Sequence, residues 1–99
     1  MRFEGYLKVP ADGRYTFHLG SDDGSFLYLA GEQLIDNDGG HPMTFKEAST
    51  QLTRGSLPIK VTFAQGSGAS GLKLQWEGPN IDKQDVPAKN LAHAPGGTR

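Results

Sequence analysis

Asp22 and Asp23 are adjacent carboxylates in the run Ser21-Asp22-Asp23-Gly24, which joins two strand-like stretches, residues 14–19 and 25–30. Neighbouring side chains on a strand point to opposite faces, so two adjacent carboxylates converge only where the backbone leaves strand geometry. Converging carboxylates repel unless a proton or a cation sits between them. A hard cation that takes oxygen ligands, calcium above all, is the natural occupant. The competing reading is a solvated turn in which aspartate side chains cap the backbone.

Other chemistry-bearing residues fit known reactions poorly. Asp36-Asn37-Asp38-Gly39 resembles the start of a calcium-binding EF-hand loop, with Glu47 at its twelfth position. The sixth position, which requires glycine, is His41, and no helical pattern flanks the loop. A turn is the better reading, since Asn or Asp before Gly is hairpin chemistry. If this turn lies at the same end of the fold as Asp22 and Asp23, then Asp38 and His41 are candidates for touching a ligand there. His18 is out of phase with Tyr15 and Phe17, which makes it a surface or inter-strand residue. No serine stands in a nucleophile-elbow context and there is no cysteine, so no catalytic triad can be built. A glycosidase needs two carboxylates across a sugar cleft, a separation that adjacent aspartates do not give. The glycine-rich run 65–71 lacks the lysine and the following helix of a phosphate loop. The chain is therefore expected not to be an enzyme.

The elements that must position these residues read almost everywhere with a period of two. Residues 3–9 form a first strand, and Pro10-Ala11-Asp12-Gly13 a turn. Tyr15, Phe17 and Leu19 alternate with Thr16, His18 and Gly20. Phe26 and Tyr28 alternate with Leu27 and Leu29, and whether those two rings serve the core or a site stays open. Ala30-Gly31-Glu32 turns into residues 33–36. The segment 43–53 is the least defined. Leu57, Ile59, Val61 and Phe63 make the strongest strand, and Pro58 near its start suggests an edge or first-residue position. Leu72, Leu74 and Trp76 form the last clear one. From Gly78 the chain reads as extended and then loose, with residues 93–99 frayed.

The 99 residues form one domain, and 14 glycines with no convincing helix indicate an all-β fold, an antiparallel β-sandwich. Its expected core is Tyr15, Phe17, Leu57, Ile59, Val61, Phe63, Leu72, Leu74 and Trp76. A formal net charge of −1 without a basic stripe argues against nucleic acid. No apolar run approaches the ~20 residues that span a bilayer, so membrane insertion is not expected. No signal peptide is legible. The absence of cysteine excludes disulfides and thiolate zinc sites without deciding the compartment.

Several stretches, in order, resemble one family. They are residues 3–13, Tyr15-Thr16-Phe17, Ser21-Asp22-Asp23-Gly24-Ser25, Asp36-Asn37-Asp38-Gly39 and residues 72–79. Together they resemble the anthrax protective-antigen-type (PA-14) β-sandwich, found in yeast flocculin adhesins and beside catalytic domains of bacterial glycan-processing enzymes. The resemblance covers residues 3–93, assigning 1–93 to the domain and 94–99 to a flexible tail. The family has further chain before Phe3, so the N-terminal strand or strands are expected to be missing here. That would leave a sheet edge open to other domains of a parent protein or to an oligomer. In the sugar-binding members the paired aspartates, joined by a cis peptide, bind one calcium with help from a later loop. The resemblance implies Asp22, Asp23, Gln65 and the carbonyls of Ser67 and Ala69 as metal ligands. Gln65 departs from the family's asparagine by one methylene, and the longer specificity loop of the yeast adhesins is absent. The implied function is a calcium-dependent, lectin-like carbohydrate-binding module of an extracellular or cell-envelope protein. Asp22, Asp23, Asp38, His41 and Ser67 would contact the glycan. The alternative is a structural or protein-interaction sandwich without sugar binding.

Overall fold

The computed structural model describes residues 2–21, 24–37, 44–63 and 73–93. Among them are nine strands: β1 (Arg2–Val9), β2 (Gly13–Ser21), β3 (Ser25–Leu29), β4 (Glu32–Asn37), β5 (Thr44–Leu52), β6 (Gly55–Phe63), β7 (Lys73–Gly78), β8 (Ile81–Asp85) and β9 (Leu91–His93). A 3₁₀ turn, Ala88–Asn90, precedes β9. One sheet has the order β4-β3-β6-β1-β9 and the other β5-β2-β7-β8. Every pairing is antiparallel, which is the expected all-β sandwich.

The alternating pattern explains the layers. Leu7, Val9, Leu27, Leu29, Ile35, Ile59, Val61 and Phe63 point inward from the five-stranded sheet. Tyr15, Phe17, Leu19 and Trp76 meet them from the other. Trp76, 1% exposed, lies 5.4 Å from the Tyr15 ring and 6.1 Å from Phe17, tilted against both. These are favourable centroid separations for aromatic pairs. The Tyr15 hydroxyl donates to the Ala11 carbonyl at 2.7 Å, which satisfies a buried polar atom and fixes the turn before β2. Of the expected core, Leu57 and Leu74 are only partly buried against it, and Leu72 lies outside the described residues.

Pro58 is neither at an edge nor first in its strand: β6 is the central strand of its sheet and begins at Gly55. Its carbonyl accepts the Ala30 N–H at 2.9 Å. The nitrogen and carbonyl of one strand residue face the same neighbour, so the N–H that proline lacks would have pointed toward the Ala30-Gly31 turn, where β3 has already ended. The β1–β6 ladder loses nothing. In that turn Ala30 and Gly31 both have positive φ, 52° and 84°, as a primed hairpin turn requires.

Residues 44–52 form β5, an edge strand whose pairing with β2 puts Lys46 opposite Leu19 and Ala48 opposite Phe17. It lacks an apolar stripe because only Ala48 and Leu52 pack against the core. Past Gly78 the chain is not loose: β8 pairs with β7, and β9 pairs with β1 through His93, opposite Gly5. The frayed tail therefore does not begin at His93. Residues 94–99 lie outside the described residues.

Candidate functional site

The register sorts the connections by end. At one end, Val9 pairs with Gly55, Gly13 with Leu52 and Leu29 with Glu32, so the turns after β1, β3 and β5 all lie at this end and are short. The Arg54 N–H donates to Asp12 Oδ1 at 2.7 Å, tying two of these turns together. At the other end, Ser21 pairs with Thr44, Gly20 with Lys73, and Ser25 with both Asn37 and Phe63. The connections after β2, β4 and β6 therefore all leave from this end.

Those connections carry every metal-ligand and glycan-contact candidate named from the sequence. Asp22 and Asp23 follow β2, Asp38 and His41 follow β4, and Gln65, Ser67 and Ala69 follow β6. All seven lie outside the described residues, as does the Asp22–Asp23 peptide bond. What is described is the platform from which their loops spring.

That platform is polar and closed to solvent. Ser21, Ser25 and Asn37 are buried, at 0%, 0% and 1% exposure. The Ser21 and Ser25 hydroxyls hydrogen-bond at 2.7 Å. The Asn37 amide donates to the Leu19 carbonyl at 3.3 Å and to Ser21 Oγ at 3.4 Å. Each contact crosses from one sheet to the other, since Leu19 and Ser21 belong to β2 and Ser25 and Asn37 to β3 and β4. Polar side chains are buried at such a place only when hydrogen-bonded, and the network fixes the roots of the first two loops relative to each other. Periodicity gave no hint of it, because serine and asparagine at strand ends read as ordinary turn residues. Asn37 in particular is the last residue of β4 rather than part of a metal loop, and no helix flanks it, so the EF-hand reading fails.

His18 is set apart from this end. It is buried, 6% exposed, on the outer face of the four-stranded sheet. One ring nitrogen lies 2.8 Å from Glu77 Oε2 and the other 3.3 Å from Glu47 Oε1. It is thus an inter-strand residue, joining β5, β2 and β7. The two nitrogens face opposite ways, so Glu47, His18 and Glu77 cannot close around one ion. Among the described residues no cluster of three His, Cys, Asp or Glu side chains could hold a metal, and no helix is long and apolar enough to cross a membrane.

The PA14 domain family model matches residues 1–90. Anti-sigma-I factor RsgI3 of Acetivibrio thermocellus is 28% identical over 92 residues, covering 92% of this chain but 14% of that protein. A solved anti-sigma factor domain-containing protein superposes with a TM-score of 0.83 at 26% identity, covering 94% of this chain and 33% of its own. The PA14 sugar-binding domain from an RTX adhesin superposes with a TM-score of 0.74 at 20% identity, covering 94% of this chain and 53% of its own, which shows the shared fold. The chain thus spans a minor part of its curated relative. None of these names denotes an enzyme.

Proposed function

The chain belongs to the PA14 domain family, and from that premise we propose that it is a calcium-dependent carbohydrate-binding module of a longer extracellular or cell-envelope protein. The observation that carries the reading is the common end of the sandwich from which the connections after β2, β4 and β6 depart. Asp22 and Asp23 would hold the ion, with the Gln65 side chain and the Ser67 and Ala69 carbonyls completing the protein's share. The donor set is all oxygen, two carboxylates, an amide and carbonyls, which fits calcium and not a thiophilic metal. The buried network of Ser21, Ser25 and Asn37 supports the reading by giving the first two loops a fixed base. Calcium accepts several neutral oxygens, so a bound ion would offer positions to vicinal sugar hydroxyls. Asp38, His41 and Ser67 would orient the sugar around it.

The names of the relatives add a setting. One relative is named an anti-sigma factor, and this chain corresponds to 14% of it. A glycan-binding module there would serve as the segment that meets the outside signal. In an adhesin the same module would serve attachment. Both settings use the same binding chemistry.

The test is binding to an array of plant, fungal and bacterial glycans, with calcium and with chelator. The proposal expects binding that disappears with chelator and in an Asp22→Ala, Asp23→Ala double variant that still folds. Glycan binding that survives both would remove the ion from the mechanism. Silence across the array, together with a stable complex with a protein partner, would favour the interaction-module alternative.

A further inference from the structure

We propose that the outer face of the five-stranded sheet carries a second saccharide site, independent of metal, formed by Tyr6, Tyr28 and Lys60. A half-open cavity of about 360 Å³ lies there, lined by Glu4, Tyr6, Tyr28, Gly31, Pro58 and Lys60. The register explains its shape. Lys60 stands between Tyr28 and Glu4 in one row across β3, β6 and β1, and Pro58 lies beside Tyr6 in the next. Tyr6 and Pro58 form a pair without mutual hydrogen bonds, the closer kind of antiparallel pair. Gly31 contributes no side chain, and a Cβ there would meet nothing within 4 Å, so the turn leaves the cavity open on that side. Two tyrosines therefore stand on strands separated by one intervening strand, about 10 Å apart across the sheet, with Pro58 and the Lys60 stem as the floor.

The chemistry of the lining chooses the occupant. Tyr6 is 38% exposed, one of two large hydrophobic side chains so exposed among the described residues. The Lys60 ammonium sits 4.5 Å from the centre of the Tyr28 ring, which holds a donor at the cavity wall. The exposed Tyr6 ring has electron-rich faces, which attract the polarised C–H bonds of a sugar ring. The tyrosine hydroxyls, the ammonium and the Glu4 carboxylate supply donors and acceptors for sugar hydroxyls. One ammonium and one carboxylate leave the lining without net charge, which matches a neutral pyranose rather than an acidic one. The volume is at the small end of ligand pockets, enough for a short stretch of oligosaccharide.

The cavity borders the Ala30-Gly31 turn, at the end of the sandwich away from the loops that carry Asp22 and Asp23. The site therefore stands or falls separately from the calcium reading. A module with two sites on one chain gains avidity for a long polymer without any tightening of either site.

The experiment is a heteronuclear NMR titration of the whole chain in chelator, with cellohexaose, xylohexaose and mannohexaose tested separately to millimolar concentration. The expected result is a saturable shift of the Tyr6, Tyr28, Gly31 and Lys60 amides with at least one of the three. It persists in the Asp22→Ala, Asp23→Ala double variant. Tyr6→Ala weakens it about tenfold, the effect of losing one aromatic contact, and Lys60→Gln weakens it while keeping the side-chain stem. Unshifted Phe17 and Leu27 amides verify that each variant folds. Absence of saturable shifts on this face with all three sugars overturns the proposal. So do shifts confined to Ser21, Asn37 and Lys73, or a response to a proline-rich peptide and to no sugar.

Discussion

The hydroxyls of Ser21 and Ser25 lie 2.7 Å apart and join the two sheets at the root of the connection that contains Asp22 and Asp23. Ser21 ends β2 in one sheet and Ser25 begins β3 in the other. The chain thus crosses between layers from Ser21 to Ser25, and a buried hydrogen bond closes the crossing. Asn37 adds the end of β4 to the same network through Ser21 Oγ.

Asn37→Ala is expected to destabilise the fold by about 1–3 kcal/mol, because it strips donors from the buried Leu19 carbonyl and Ser21 hydroxyl. Urea unfolding checks this. The same variant should bind calcium more weakly than the parent chain, since the root of the Asp38 connection is no longer tied to that of Asp22. A variant as stable as the parent would show that the network is incidental.

Trp76 offers a sharper contrast. Its ring is buried in the core, yet its indole N–H has no hydrogen-bond partner among the described residues. Trp76→Ala should cost about 3–5 kcal/mol through lost packing. Trp76→Phe should cost much less, because it removes an unsatisfied buried donor along with some volume. Near-equal losses in denaturant unfolding would mean that the indole nitrogen has a partner in solution.

Gly78 and Gly20 both lie under aromatic rings but should respond differently to alanine. A Cβ at Gly78 would come 2.5 Å from the Tyr15 ring, which is buried and anchored by its hydroxyl. A Cβ at Gly20 would come equally close to the Phe45 ring, which is 44% exposed and can swing away. Gly78→Ala should therefore cost about 1–3 kcal/mol by overpacking, and Gly20→Ala clearly less. Thermal unfolding of the two variants decides it.

The methylene that separates Gln65 from the family's asparagine yields a test of the ligand set. Gln65→Asn should raise calcium affinity, and Gln65→Ala should lower it. Calorimetric titration with calcium measures both. Equal affinities across the three side chains would remove residue 65 from the coordination shell.

Much of the fold was legible because the strands that carry the core alternate cleanly. Tyr15, Phe17 and Leu19, then Ile59, Val61 and Phe63, mark apolar strand faces by pattern alone, and the sheet order places them in opposite layers. The strands that escaped have little apolar pattern to read. β5 turns Lys46 and Thr50 to the same side as Ala48, the side of Leu19 and Tyr15 across the pairing, an arrangement that guards an edge rather than fills a core. β8 is mostly exposed, and β9 is only Leu91–His93. Pro58 misled because local chemistry puts proline at edges, whereas here the missing N–H falls just past the end of β3. For the site, adjacency singled out Asp22 and Asp23, and only the register revealed that three connections share one end. The network of Ser21, Ser25 and Asn37 needed tertiary structure, since its members lie on three strands.

The most direct test of calcium dependence is thermal unfolding in excess calcium, compared with chelator and with magnesium. A ligand at 100 times its dissociation constant stabilises the native state by about 2.7 kcal/mol, which in a domain of this size raises Tm by about 10 °C or more. The account predicts such a rise with calcium, little with magnesium, and none in Asp22→Ala. An unchanged Tm in a well-folded sample would contradict it and leave the paired aspartates as a device of the turn.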